Sequence, residues 1–294
     1  MCPLVFLYNI LFYMQTIFNH IVRIEYVSKR TKNISIIVFL SLIILILIGI
    51  FTVPKIDIPH EPLGEVMREA VLHEKHKINL LGINVNPALI SAYIVTGIIF
   101  VFAIVVRIFI IPRFKFIPSR FQLILEEGVA AFGKIARSNS PHRNSFLGVY
   151  IFCAGVYISV GTLFELLGVQ AISTEERPIV LSAPLSDING AIMMGCLSYI
   201  IILSGGFLEN GIRGIGRTLK DFSLTVSMSF RIFGALLSGT LVNELVYYYI
   251  NLSIILPIIV AVLFTILHAI IQAYVLTILT SLFYGEVSEP SKGD

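Results

Sequence analysis

Charge is what this sequence has least of. Only 13% of its 294 residues are Asp, Glu, Lys or Arg, where soluble domains carry about 25%. That deficit excludes an ordinary soluble domain, and a mean hydropathy of +0.90 agrees. Cysteine is scarce too: Cys2, Cys153 and Cys196 are odd in number and have no metal-ligand spacing. No disulfide framework or CxxC site is indicated, and two of the three lie in apolar runs, where a free thiol behaves as a small hydrophobe. No basic patch with interleaved aromatics appears, so nucleic-acid binding has no support. No cofactor or metal motif is present.

What the chain does have is repeated apolar runs. The run 34–53 is long enough to cross a hydrocarbon core of roughly 30 Å. It is too long for a signal-peptide core and lacks a small-residue cleavage site after it, so it reads as a retained span. The apolar, aromatic stretch 3–18 is shorter and suits an interface. Further spans are expected at 89–111, 146–169 and 188–208. Segment 112–144 alternates apolar Phe121, Leu123, Ile124, Val129, Phe132 and Ile135 with polar residues at helical spacing, as an interfacial helix does. Residues 211–250 and 252–284 stay helix-compatible, and Asn251, Ser253 and Pro257 suit the turn between them. A 33-residue helix over 252–284 would reach about 50 Å at ~1.5 Å per residue, so it must tilt, kink or protrude.

The expected fold is therefore an all-α polytopic membrane protein. It has about six membrane helices and an interfacial amphipathic helix, the last two spans forming a long, tilted hairpin. Lys and Arg counts orient it. With a cytoplasmic N-terminus, the inside segments 1–33, 112–145, 209–221 and 285–294 carry four, six, three and one, against four and one in the outside segments 54–88 and 170–187. The division expected is an N-terminal extension, 1–88, with the extra span 34–53 and an extracytoplasmic loop. A core membrane domain, 89–286, and a tail, 287–294, follow it.

One residue stands out in this apolar background. Arg231 lies mid-way along FSLTVSMSFRIFGALLSGTLVNELVYYYI, where Glu244 is the only other charge. A guanidinium stays charged in proteins, and placing one at a membrane centre costs at least about 2.5–3.5 kcal/mol on the most lenient scale. Such a residue normally faces a partner or a hydrated pathway. Its helix-face neighbours, Ser227, Gly234, Ala235 and Ser238, are all small, which leaves a groove where another helix can approach. The alternative is an internal ion pair with Glu165 or Glu244. On the final helix Thr265, His268 and Gln272 share a face and form either a hydrated proton stripe or a set of helix–helix hydrogen bonds. Glu165 and Glu244 are lone carboxylates in apolar surroundings, and Glu244 falls off the Arg231 face, which favours a separate access route.

Five motifs in order resemble subunit a of the F-type ATP synthase, over roughly residues 79–286. They are Pro118-Ser119-Arg120-Phe121-Gln122, Leu163-Phe164-Glu165-Leu166-Leu167-Gly168, Pro184-Leu185-Ser186-Asp187-Ile188-Asn189, Ser229-Phe230-Arg231-Ile232-Phe233-Gly234, and Gln272 through Thr280 (QAYVLTILT). The resemblance implies a stator without an active site of its own, whose two tilted helices face a ring of c subunits bearing mid-membrane carboxylates. Arg231 would face those carboxylates, favouring their ionised form and blocking a direct leak between two half-channels. Half-channel candidates are Gln272, His268, Glu244, Thr265, Thr240, Glu165, Asp187, Asn189 and Asp221. Implied partners are the c-ring, peripheral-stalk b subunits, the bilayer and, indirectly, the catalytic F1 sector.

The chain departs from that pattern where an Asn usually follows the arginine motif (Ala235) and where an acidic residue is usual nine positions after the arginine (Thr240, with Glu244 one turn on). It departs again seven before the glutamine (Thr265, with His268 nearby) and fourteen before the arginine (Arg217, with Asp221 one turn on). A one-turn shift, with Glu244 and His268 substituting, would restore the set. Proton translocation coupled to ring rotation and ATP synthesis, in a complex of the bacterial plasma membrane, is the leading expectation from the resemblance. Sodium transport, a subunit that has lost conduction and a mitochondrial inner-membrane location are the alternatives. An intramembrane enzyme would need a clustered nucleophile and base or paired metal ligands, and the sequence has none.

Overall fold

The structure is a computed structural model describing residues 62–72, 78–80, 83–141, 144–167, 170–172, 178–219, 222–248 and 256–289, with scattered positions between 37 and 48. Most of run 34–53, the stretch 3–18, the charged residues 175–177 and Asp221 lie outside the described residues. By internal contacts the chain divides into two units, residues Met1–Asp57 with Ile250–Ile255, and Ile58–Tyr249 with Leu256–Asp294. Every element named below belongs to the second.

The second unit is a helical bundle with two small hairpins in its loops. Helix α1, Leu63–Leu72, is short and amphipathic and packs on α6, introduced below. Strands β1, Ile78–Leu80, and β2, Ile83–Val85, pair antiparallel. Helix α2, Pro87–Val105, starts sharply: Asn86 Oδ1 accepts from the Ala88 N–H at 3.1 Å, and Pro87 takes the first position, where a missing N–H costs nothing. It continues as a widened π turn, Val106–Ile110, and a 3-10 turn, Ile111–Arg113.

Between that membrane helix and the amphipathic helix α3, Arg120–Asn139, the chain turns around one buried side chain. Gln122 accepts from the Lys115 N–H at 3.1 Å and donates to the Lys115 carbonyl at 3.0 Å and to Glu126 at 2.8 Å. Ser119 caps α3, its Oγ accepting from the Gln122 N–H at 3.4 Å. The Pro-Ser-Arg-Phe-Gln motif is thus a turn that clamps itself shut. Of the six apolar positions expected on this helix, Phe132 and Ile135 pack on the bundle core. Phe121, Leu123, Ile124 and Val129 are left bare by protein.

Helix α4, Ser145–Phe164, ends in a 3-10 turn, Glu165–Leu167. Strands β3, Gln170–Ile172, and β4, Pro178–Val180, form the second antiparallel hairpin. Helix α5, Ile188–Thr218, breaks at Gly211, whose φ of 58° and ψ of −144° only glycine adopts without strain. The helix therefore runs past the span 188–208 expected from hydropathy and takes in the start of 211–250, the stretch read from the sequence as helix-compatible. Helices α6, Ser223–Tyr248, and α7, Leu256–Val287, are consecutive and pack together. Residues 252–255 of the expected final helix, with Asn251, lie outside the described residues, and α7 ends three residues later than expected.

Among the described residues, five helical stretches are long and apolar enough to cross a membrane: 87–113, 145–167, 188–216, 223–246 and 262–287. Their burial differs sharply. In α2 only 6% of the apolar window is covered by protein, against 50% in α5. In lipid, apolar surface gains little by leaving the solvent, so close packing must hold helices together. Small residues supply it here. A Cβ on Gly155 of α4 would lie 2.7 Å from the Phe132 ring, and one on Gly205 of α5 would lie 2.6 Å from the Tyr284 ring of α7. The core gathers Leu147, Ile151 and Ile158 from α4, Met194 and Ile202 from α5, Ile232 and Leu236 from α6, and Leu276 and Tyr284 from α7. Polar ties fix the ends: Asn210 of α5 donates to the carbonyls of Val287 at 3.1 Å and Glu289 at 3.0 Å. Asn139 of α3 donates to Ser281 Oγ at 3.2 Å.

Candidate functional site

Helix α6 has two unlike sides. On one, Met228, Ser229, Ile232 and Leu236 are buried, and Gly195 of α5 comes so close that a Cβ there would overlap Ser229. On the other, Ser227, Arg231, Gly234 and Ser238 are exposed, with Ala235 half-buried. No atom lies within 4 Å of where a Gly234 side chain would begin. Ser238 turns its hydroxyl back onto the Ala235 carbonyl at 2.7 Å, so the face is smooth as well as open. Among the described residues, no hydrogen bond or ion pair reaches the Arg231 guanidinium. The internal ion pair weighed from the sequence is not formed.

A cleft of about 10 Å³ lies beyond this face, between α4, α6 and α7. It is lined by Thr162, Glu165, Leu236, Gly239, Asn243, Phe264, Thr265 and His268. Three expected site residues, Glu165, Thr265 and His268, therefore come together from two helices that are far apart in sequence. Helix geometry explains the meeting. Leu236, Gly239 and Asn243 are spaced by three and four and share one face of α6, as do Thr265 and His268 on α7. His268 packs against the bare backbone of α6, its Nδ1 being 3.6 Å from a Cβ built on Gly239, and its ring lies 5.7 Å from that of Phe264. The cleft has room for about one water molecule.

A second cavity, about 80 Å³, sits at the other end of the bundle among Ile202, Gly214, Thr218, Leu224, Phe283, Glu286 and Val287. Thr218 is fully buried and donates to the Gly214 carbonyl at 2.9 Å, and the Tyr199 hydroxyl caps the Thr218 carbonyl at 3.0 Å. Along α6 this cavity touches Leu224, and the cleft touches Leu236, Gly239 and Asn243. Arg231 lies between them, about 10 Å of helix from Leu224 and about 7 Å from Leu236 at ~1.5 Å per residue.

The other expected residues are placed differently. Gln272 is buried on α7 with its side-chain oxygen unpartnered. Thr240 donates to the Leu236 carbonyl of its own helix at 3.1 Å. Asp187 stands at the N-cap of α5 and accepts from Asn189 at 3.3 Å, so this pair lies at a helix start. Glu244 does not line the cleft, whereas its neighbour Asn243 does. Asn243 and Thr162 were not singled out from the sequence. The available signal was that Thr162 precedes Glu165 by three residues, on the same helical face. Among the described residues, no three His, Cys, Asp or Glu side chains gather as a metal site.

A family model described as ATP synthase A chain matches residues 89–285. The chain belongs to that family. No curated protein matches it. As an ATP synthase A chain it is a multi-pass, non-catalytic subunit, a stator of the membrane sector beside the c-ring. The matched residues run from α2 into α7 and hold Arg231, the whole Glu165–His268 cleft and all of the second cavity's lining except Glu286 and Val287.

Proposed function

We propose that this subunit conducts protons between two offset half-channels and that Arg231 faces the carboxylates of the c-ring. The observation that carries this reading is the position of Arg231 on an open helix face, with no partner among the described residues, between two cavities that each include a carboxylate and a threonine in their lining. In the orientation set by the Lys and Arg counts, the cleft of Glu165, Thr265 and His268 opens toward the outside. The cavity of Thr218 and Glu286 opens toward the cytoplasm. Protons reach a ring carboxylate from one side, travel with the ring and leave on the other. The fixed cation favours the ionised carboxylate as it passes and repels protons from the short path between the cavities. Helices α6 and α7 are tilted against the ring, and the smooth face of small residues lets it slide by.

Proton transport is favoured over sodium because the cleft admits about one water and includes an imidazole, which suits a proton relay better than a hydrated cation. The peripheral-stalk b subunits hold the subunit still against F1, and the complex sits in a bacterial plasma membrane. The testing experiment is ATP-driven acidification of vesicles carrying the complex with the parental chain or Arg231→Ala, assembly being verified in both. Loss of pumping in an assembled complex is expected, as is unchanged parental pumping in sodium-free buffer. Normal pumping by Arg231→Ala would overturn the reading.

A further inference from the structure

Two side-chain oxygens in the Glu165–His268 cleft are buried and have no partner. Thr162 is 2% exposed and its Oγ1 makes no hydrogen bond; Asn243 Oδ1 is equally orphaned. They belong to different helices, α4 and α6, and both residues line the same cavity of about 10 Å³. A buried acceptor left unpaired costs about 1–3 kcal/mol, and membrane threonines ordinarily avoid this by bonding a carbonyl one turn back. Thr240 and Thr277 do so, at 3.1 and 2.8 Å. Thr162, Thr225 and Thr280 do not, and of these three only Thr162 lines the cleft. A cavity of one-water size bounded by several polar groups is the setting in which buried water is retained.

We propose that Thr162 and Asn243 hold a single ordered water in this cleft, and that this water bridges Glu165 and His268. The Asn243 carbonyl oxygen can only accept, so the water donates one hydrogen to it, while the Thr162 hydroxyl donates to the water. The water's other hydrogen and remaining lone pair serve the titratable groups. A proton arriving from one of them binds the water oxygen as a different proton leaves for the other. The water is regenerated at each hop, and no co-reactant is consumed. Thr162 and Asn243 are positioning residues that fix the bridge. The inference rests on the reading of this cleft as a half-channel, and the experiment separates the two.

The test is the initial rate of ATP-driven acidification by the whole complex in liposomes. The variants are Thr162→Val, Asn243→Leu, their double, Thr162→Ser and Glu165→Gln. Each single apolar variant is expected to slow pumping about tenfold, the loss of one well-placed hydrogen bond. The double should be no worse than the poorer single, because both remove the same water. Thr162→Ser should pump at the parental rate, since it keeps the hydroxyl. Parental rates in Thr162→Val and Asn243→Leu, with Glu165→Gln impaired, would overturn the water bridge and leave the half-channel standing. A double whose loss is the product of the singles would overturn the shared water. Parental pumping by Glu165→Gln would overturn the half-channel itself. If the apolar variants do not assemble, a high-resolution map of the parental complex decides. Density within hydrogen-bond distance of both oxygens supports the bridge, and an empty cleft refutes it.

Discussion

The two sides of α6 follow opposite rules. Toward α5 the helix is locked: Gly195 presses on Ser229, and Met228 and Ile232 are buried. On the opposite side it carries Ser227, Arg231, Gly234 and Ser238, all exposed among the described residues. Small residues appear on both sides for different reasons. At Gly195 the missing side chain makes room for a partner that is already there, whereas at Gly234 the room is empty. A small residue in a membrane helix is therefore not by itself a packing signal; what lies where its Cβ would be decides.

Substitutions can break this contrast. Gly195→Leu should have the largest effect, because the new side chain meets Ser229 and, at 2.9 Å, the Thr225 carbonyl of a backbone that cannot yield. Overpacking of this kind costs about 1–3 kcal/mol or more, and the expected result is loss of the subunit from the membrane on immunoblots. Gly234→Leu should leave the subunit folded and abundant, yet cut ATP-driven pumping by about tenfold or more by roughening the open face. Normal pumping would show that nothing slides there. Gly239→Val lies on the cleft side, where His268 occupies the space. It should assemble and pump about three- to tenfold more slowly, within the range for a displaced proton-transfer group. Ser238→Ala should change pumping by less than about twofold, because its hydroxyl is spent on its own helix and surface changes are worth about 0.5 kcal/mol or less.

Much of this was legible in the sequence. Unbroken apolar runs located the five described spans, since hydropathy is read over about twenty residues and tolerates local error. Boundaries were less legible where one residue decides them. Gly211 lets α5 bend and continue instead of ending. The hairpins at 78–85 and 170–180 went unread because strands of three residues carry no usable alternation. In the candidate site, Glu165, Thr265 and His268 were visible as polar residues in apolar runs. Thr162 was not, because a membrane threonine normally satisfies itself, and only the structure reveals that this one does not. Asn243 was hidden beside the more conspicuous Glu244.

The clasp between Asn210 and the carbonyls of Val287 and Glu289 has a consequence for the order in which the protein matures. Asn210 meets partners 77 and 79 positions later in the chain, so this end of α5 must wait while both long helices are synthesised and inserted. Contacts of such sequence separation form late. The two hydrogen bonds that brace this end of the finished bundle are therefore among the last to form, after the whole of α7 is in place.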